Sequence, residues 1–305
     1  MVENREIRFE QDIETSLTQL GGWENESFQD SHYDASVGID LDKLIAFIEK
    51  TQPKQWERYL TIYQSDSKRK LMKRFDEEVN AHGMLYILRN GIRDRGVNLK
   101  VAFFRPVSGL NEELQEKYEA NQFTCTRQFA YSPNNRNTID MVLSVNGIPL
   151  VALELKNQYT GQSVENALVQ YQQDRNPKEL VFNFNRRFLV YFAVDHYEVY
   201  MTTKLAGNKT YFLPFNQGSK GPGNNGGQGN PQNPDGYPTA YLWEQVLQRD
   251  HLMDVFQRFM NLEVKKEKQD GKEMTKRTLI FPRYHQWDVV TKLVQAVHTE
   301  GTGKK

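Results

Sequence analysis

The stretch from Thr138 to Asn157, TIDMVLSVNGIPLVALELKN, constrains the fold more than any other part of the chain. Ile139, Met141, Leu143 and Val145 alternate with Asp140, Val142 and Ser144. Val151, Leu153 and Leu155 alternate with Ala152, Glu154 and Lys156. Successive side chains of a strand leave opposite faces, so two alternating, β-branched runs around an Asn-Gly pair read as strand, turn, strand. Glu154 and Lys156 then share one face.

Register decides whether Asp140 joins them. A two-residue loop at Asn146-Gly147 pairs Val145 with Ile148, sets Asp140 against Leu153, and leaves the two acids on opposite faces. A three-residue loop, Asn146-Gly147-Ile148, pairs Val145 with Pro149 and sets Asp140 opposite Glu154, Met141 opposite Leu153 and Leu143 opposite Val151. A one-residue slip turns every side chain over, so only the second register satisfies both a core and an acid pair. The expectation is therefore the three-residue loop, with Gly147 left-handed and a bulge closing the turn.

Two close carboxylates repel each other, and their oxygens suit a hard cation such as Mg²⁺. Such a metal activates water and polarises a phosphoryl oxygen, and Lys156 is placed to orient that water or neutralise developing charge. The pattern points to a metal-dependent phosphodiesterase. The bland alternative is an edge hairpin with a surface Asp, Glu and Lys. Glu-x-Lys alone carries little weight, because it recurs at Glu263-Val264-Lys265 in a charged run with no hairpin before it.

Lys plus Arg and Asp plus Glu both number 39, so the chain has no global positive charge to attract nucleic acid. Cys125 is the only cysteine, which rules out an internal disulfide and a cysteine-based zinc site and fits a reducing, cytoplasmic setting. No apolar run approaches membrane-spanning length, so no membrane partner is expected. At 305 residues the chain is long enough for a substantial core.

Before the hairpin the sequence is largely helical. Phe9, Ile13, Leu17 and Leu20 predict a helix from about Glu6 to Leu20, stopped by Gly21-Gly22, with Glu10 and Glu14 one turn apart as possible further carboxylates. Asp40 caps a second helix, Pro53 opens a third, a basic helix runs from Ser67 to Asn80, and a short one spans Met84 to Asn90. Lys68, Arg69, Lys70, Lys73 and Arg74 on the basic helix read as a solvated face rather than a DNA contact. Leu99–Phe104 and Phe123–Tyr131 read as strands around a short polar helix, Asn111–Ala120.

After the hairpin Ser163 caps a helix bearing Val164, Ala167, Leu168 and Tyr171, with Gln170 beside its apolar face. Phe188–Val194 and Tyr197–Thr203 read as strands. The Gly-, Asn- and Pro-rich stretch 217–238 reads as a mobile loop or linker. Tyr241–Leu262 is helical with a break near Asp250, Glu263–Lys276 is a solvated connector, and Tyr284–His298 is a final helix entered by a strand near Thr278–Pro282. Gly301-Thr302-Gly303-Lys304-Lys305 lacks the glycine spacing of a phosphate-binding loop. The order of elements is that of a mixed sheet flanked by helices, an α/β fold.

These residues, taken together, resemble the amino-terminal part of the restriction (motor) subunit of type I restriction-modification enzymes. The likeness is carried by FEQDIETSLTQLGGW at 9–23, TQPKQW at 51–56, the central hairpin, NALVQYQQDR at 166–175, MTTKLAGNKTYFLPFNQG at 201–218, TAYLWEQVLQRD at 239–250 and FPRYHQ at 281–286. It implies a PD-(D/E)xK, restriction-endonuclease-like core with helical insertions and a helical lead-in to a helicase motor that the sequence does not reach. It also implies a domain division: an endonuclease domain at 1–260, with a helical insertion at about 38–96 and a catalytic core at about 97–215, then a connector and the start of a RecA-like domain at 261–305.

The resemblance assigns Asp140, Glu154 and Lys156 to the nuclease motif, with Ile139 where the motif's name has proline. Gln170 matches the glutamine of a QxxxY element, Asp174 stands in its tyrosine place, and Tyr171 lies nearby. Glu10 is the candidate helix acid of the metal site, and Arg283, Tyr284 and Gln286 match an adenine-side element of the motor. The implied activity is that of a type I site-specific deoxyribonuclease. It takes Mg²⁺ at the nuclease site, ATP in the full-length subunit only, double-stranded DNA as substrate, and modification (methyltransferase) and specificity subunits as partners. A catalytically silent docking module of the same subunit is the alternative.

Overall fold

The computed structural model describes residues 3–106, 111–158, 161–269 and 272–300, so the terminal Gly301–Lys305 stretch lies outside it. The centre is a seven-stranded mixed sheet in the order β1 (Glu24–Asn25), β4 (Phe123–Ala130), β5 (Thr138–Val145), β6 (Ile148–Leu155), β7 (Val190–Val194), β8 (Val199–Thr202), β9 (Leu213–Pro214). Strands β1/β4 and β6/β7 pair in parallel and the other neighbours antiparallel. Every residue of β6 is buried, because an apolar layer covers each face of the sheet.

The larger layer takes Met141, Leu143, Val151 and Leu153 from the hairpin and packs them with helices α1 (Glu3–Gln19), α2 (Leu41–Thr51), α3 (Pro53–Tyr63), α4 (Ser67–His82) and α5 (Met84–Asn90). The smaller layer takes Val142, Ala152, Tyr191 and Ala193 and packs them against Val164, Ala167 and Tyr171 of α7 (Val164–Gln173). The helix starts follow the local chemistry read from the sequence. The Asp40 carboxylate accepts the Lys43 N–H at 3.0 Å, Pro53 opens α3, and Asn111 accepts the Leu114 N–H at 2.9 Å to start α6 (Glu112–Glu119). Phe9, Ile13 and Leu17 form the buried stripe of α1, but Leu20 lies beyond the helix end and is 72% exposed.

Two further expectations are corrected. Leu99–Phe104 is not a strand: β2 (Ile92–Asp94) and β3 (Val97–Leu99) form a separate hairpin whose turn, Arg95-Gly96, has both residues left-handed, and the chain is irregular after Leu99. The charged run Glu263–Lys276 is not a connector but most of a two-stranded ribbon, β10 (Asn261–Gln269) against β11 (Lys272–Ile280). It pairs over its whole length because Val, Thr, Met and Leu recur among its charges. The 217–238 stretch is fastened at its base, where Asn230 Oδ1 accepts the Gln217 N–H at 2.8 Å and Asn230 Nδ2 donates to Tyr197 O at 2.8 Å.

The basic face of α4 is neutralised by its surroundings. Lys68 pairs with Asp42, Arg69 with Asp66 at 2.6 Å, Lys70 with Asp66 at 3.8 Å, Lys73 with Glu77 at 3.8 Å and Arg74 with Glu78 at 2.6 Å. Helix α8 (Arg249–Asp254) and the terminal helix α9 (Tyr284–Glu300) complete the described chain, and none of its helices is long and apolar enough to cross a membrane.

Candidate active site

The hairpin turn is not the one the sequence suggests, yet the acids end level with each other. Val145 pairs with Ile148, so the loop is the two-residue Asn146-Gly147, with both residues left-handed at φ 51° and 79°. That is the geometry whose twist matches a tight hairpin. Ser144 then pairs with Pro149, but Leu143 pairs with Val151, so Leu150 is an extra residue on β6. Beyond this bulge Val142 faces Ala152 and Met141 faces Leu153. Continuing that register sets Asp140 opposite Glu154. The turn is fixed from outside: Gly147 O accepts the Asp40 N–H at 2.9 Å, and Asn146 bonds Gln122 N, Val101 O and Asn121 Oδ1.

The three motif residues meet where the ladder stops. Asp140 Oδ2 accepts the Leu155 N–H at 2.7 Å and lies 3.6 Å from Lys156 Nζ. Lys156 N–H bonds Val194 O at 2.8 Å, which continues the parallel pairing with β7 and holds the lysine close to the sheet. Glu154 is fully buried. Its Oε1 accepts from Arg175 Nε at 2.8 Å and lies 2.7 Å from Arg175 Nη2, whereas its Oε2 has no hydrogen-bond partner among the described residues. Burial, with the Asp140 charge beside it, pushes the Glu154 carboxyl well above the usual glutamate range, and the Arg175 guanidinium opposes that shift.

A cavity of about 850 Å³ opens on Asp140 and is lined also by Glu10, Glu14, Glu26, Arg127 and Gln128. Glu10 comes from α1, where Phe9 and Ile13 anchor the neighbouring face in the core. Its Oε1 accepts Gln128 Nε2 at 3.0 Å, and Arg127 Nε bonds Glu14 Oε1 at 3.0 Å. Gln128 is a left-handed residue (φ 49°) inside β4, and it also accepts Thr138 Oγ1 at 2.8 Å. A non-glycine residue held there is strained, and such strain concentrates at functional sites. Among the described residues, no three His, Cys, Asp or Glu side chains are gathered closely enough to hold a metal by themselves.

Of the other sequence candidates, Tyr171 stands within electrostatic reach of the acids: burial, with the Glu154 and Asp140 charges, pushes its hydroxyl well above the usual tyrosine range. Gln170 is half-buried on α7, and its side chain makes no hydrogen bond among the described residues. Tyr171 is fully buried in the smaller layer and donates to Phe192 O at 3.2 Å. Tyr284 is a core residue, edge-on to Tyr241 and bonded to Gln217, whereas Arg283 and Gln286 are exposed and Gln286 Oε1 accepts the Arg283 N–H at 2.9 Å. Arg175, Arg127 and Gln128 were not singled out from the sequence. Arg175 lies just past the C-cap of α7, Asp174, where no helical spacing marks it as a contact of the sheet. No sequence signal marks the conformation of Gln128.

The model of the family "Type I restriction enzyme R protein N terminus" matches residues 7–210, more than half of the chain. The chain belongs to this family. A relative from Methanocaldococcus jannaschii, named as a type I restriction enzyme MjaVIIIP endonuclease subunit, is 22% identical over a 301-residue alignment that covers 96% of this chain and 25% of the relative. The chain thus spans about a quarter of that relative's length. The match to the R-protein family covers most of α1 with Glu10, the hairpin with Asp140, Glu154 and Lys156, α7 with Gln170, and Arg175 just beyond that helix.

Proposed function

We propose that this chain is the nuclease part of a type I restriction enzyme R subunit, with a PD-(D/E)xK fold. In this reading it hydrolyses phosphodiester bonds of unmodified double-stranded DNA with Mg²⁺, after ATP-driven translocation by motor domains elsewhere in the subunit. The modification and specificity subunits supply recognition. The observation that carries the reading is the Leu150 bulge, which brings Asp140 level with Glu154 and within 3.6 Å of Lys156 despite a two-residue turn.

The donors fit the metal. They are oxygens, and Glu154 Oε2 is a buried acceptor without a partner among the described residues. Mg²⁺ keeps most of its water and needs only one or two protein carboxylates, so the absence of a three-ligand cluster is no obstacle. Asp140 and Glu154 would hold it, with Glu10 across the cavity as a further acid; when bound it would activate water and polarise the phosphoryl oxygen. Lys156, steadied by Val194 O and drawn to Asp140, orients the attacking water or neutralises charge on the phosphate. Arg283, Tyr284 and Gln286 belong, in this reading, to the nucleotide side of the longer protein.

A silent docking module is the second reading, favoured by the hold of Arg175 on Glu154. Asp140→Asn and Lys156→Ala in the full-length subunit, assembled with its partners, separate the two. The nuclease reading expects cleavage to fall about a hundredfold or more while translocation continues. Unchanged cleavage would leave the docking module as the better account.

A further inference from the structure

The two oxygens of Glu154 are treated unequally. Oε1 lies within hydrogen-bond distance of two Arg175 nitrogens, at 2.8 and 2.7 Å, and Oε2 has no partner among the described residues. Arg175 is itself fixed from several sides: Nη2 donates to Thr138 O at 2.7 Å, Nη1 reaches Tyr131 Oη at 3.4 Å, and the guanidinium lies 5.2 Å over the Tyr131 ring. The side chain is 2% exposed. Thr138 stands two residues before Asp140 on β5. One guanidinium therefore ties the strand of the first acid to the side chain of the second.

We infer that Arg175 is a positioning residue for the metal site: by occupying Oε1 it fixes the Glu154 carboxylate and presents Oε2 alone to the divalent cation. This rests on the nuclease reading above. A planar fork of donors does this in a way that a point charge cannot, because it sets direction as well as charge. Groups that orient a ligand in this manner are commonly worth ten- to a hundredfold in metal affinity. If Arg175 served only to neutralise a buried carboxylate, a lysine in its place would do as well.

The test is Mn²⁺ binding to the chain by calorimetry, wild type against Arg175→Lys, with folding of both checked by circular dichroism. The inference expects the lysine variant to bind about ten- to a hundredfold more weakly. Equal affinity of the two overturns it and leaves the nuclease reading standing. A wild-type chain that binds no Mn²⁺ overturns both. Should the variant not fold, a crystal structure of the wild type with Mn²⁺ decides. The metal on Oε2 with Arg175 still on Oε1 supports the inference; the metal on both oxygens with Arg175 displaced, or away from Glu154, overturns it.

Discussion

The Asp140 carboxylate accepts the Leu155 N–H at 2.7 Å, so a side chain takes over from the backbone where the β5/β6 ladder ends after Met141 and Leu153. The bond gives Asp140 a structural duty beside its proposed chemical one, and the two can be separated. Asp140→Asn keeps an acceptor for the Leu155 N–H and lowers stability little. Asp140→Ala leaves that N–H without its partner and costs about 1–3 kcal/mol in urea unfolding. Equal stabilities would show that the bond contributes nothing.

Arg175 and Glu154 form a buried ion pair, and removing one partner strands the other. Arg175→Met lowers stability by about 3–5 kcal/mol. Glu154→Gln in the same chain recovers much of that loss, since no unpaired charge remains. A double-mutant cycle on unfolding free energies measures the coupling, and additive losses would refute it.

At the turn, a Cβ on Gly147 would stand 2.4 Å from Asp40 O, at a φ of +79°. Gly147→Ala therefore costs at least about 2 kcal/mol, through the strained conformation and the displaced N-terminus of α2. Gly229 has a similar φ of +86° with nothing within 4 Å of its Cβ position, so Gly229→Ala shows the conformational cost alone, about 1 kcal/mol. Thermal unfolding of the two variants gives the difference.

His196 packs between Phe9 and Tyr237, with ring centroids at 4.7 and 4.9 Å, and burial holds its pKa below the ordinary 6.5 despite the nearby Asp195 and Asp12 charges. The unfolded chain therefore takes up this proton at a higher pH than the folded one. Stability from this group is complete above about pH 6.5 and falls as pH drops from there through the lower folded value. His196→Phe flattens that part of the stability–pH curve. A variant with the wild-type slope would assign the effect to another group.

The lysines of α4 are matched by acids, so they offer DNA little net charge. Replacing Lys68, Lys70 and Lys73 by alanine leaves both DNA affinity and its dependence on salt unchanged in a filter-binding titration. A shallower salt slope would reveal phosphate contacts on this helix.

The parts of the fold visible in the sequence are those governed by local rules. The Asp40 cap, Pro53, the Met84–Asn90 helix and the alternation of the hairpin all follow from neighbours a few residues apart. The three-residue turn follows from the need to set Asp140 opposite Glu154, and no local signal reveals that β6 meets that need with a bulge at Leu150 instead. The ribbon at 261–280 was hidden by its charges, which compete with a strand pattern that only pairing completes. At the candidate site the motif residues could be read from spacing. Arg175 and Gln128 act through groups far away in sequence, 21 and 118 residues off, which spacing does not report.

The bulge gives this hairpin one residue of slack. A shortened β6 that lost Leu150 would close as an unbulged hairpin on the same Asn146-Gly147 turn, and Asp140 would still stand opposite the glutamate, at the expense of Leu150's place in the core. A lengthened β6 has no such reserve: one more residue requires a second bulge or turns the glutamate and lysine to the other side of the sheet. Changes in chain length on this strand are thus tolerated in one direction only, and attempts to redesign the site have room to subtract but not to add.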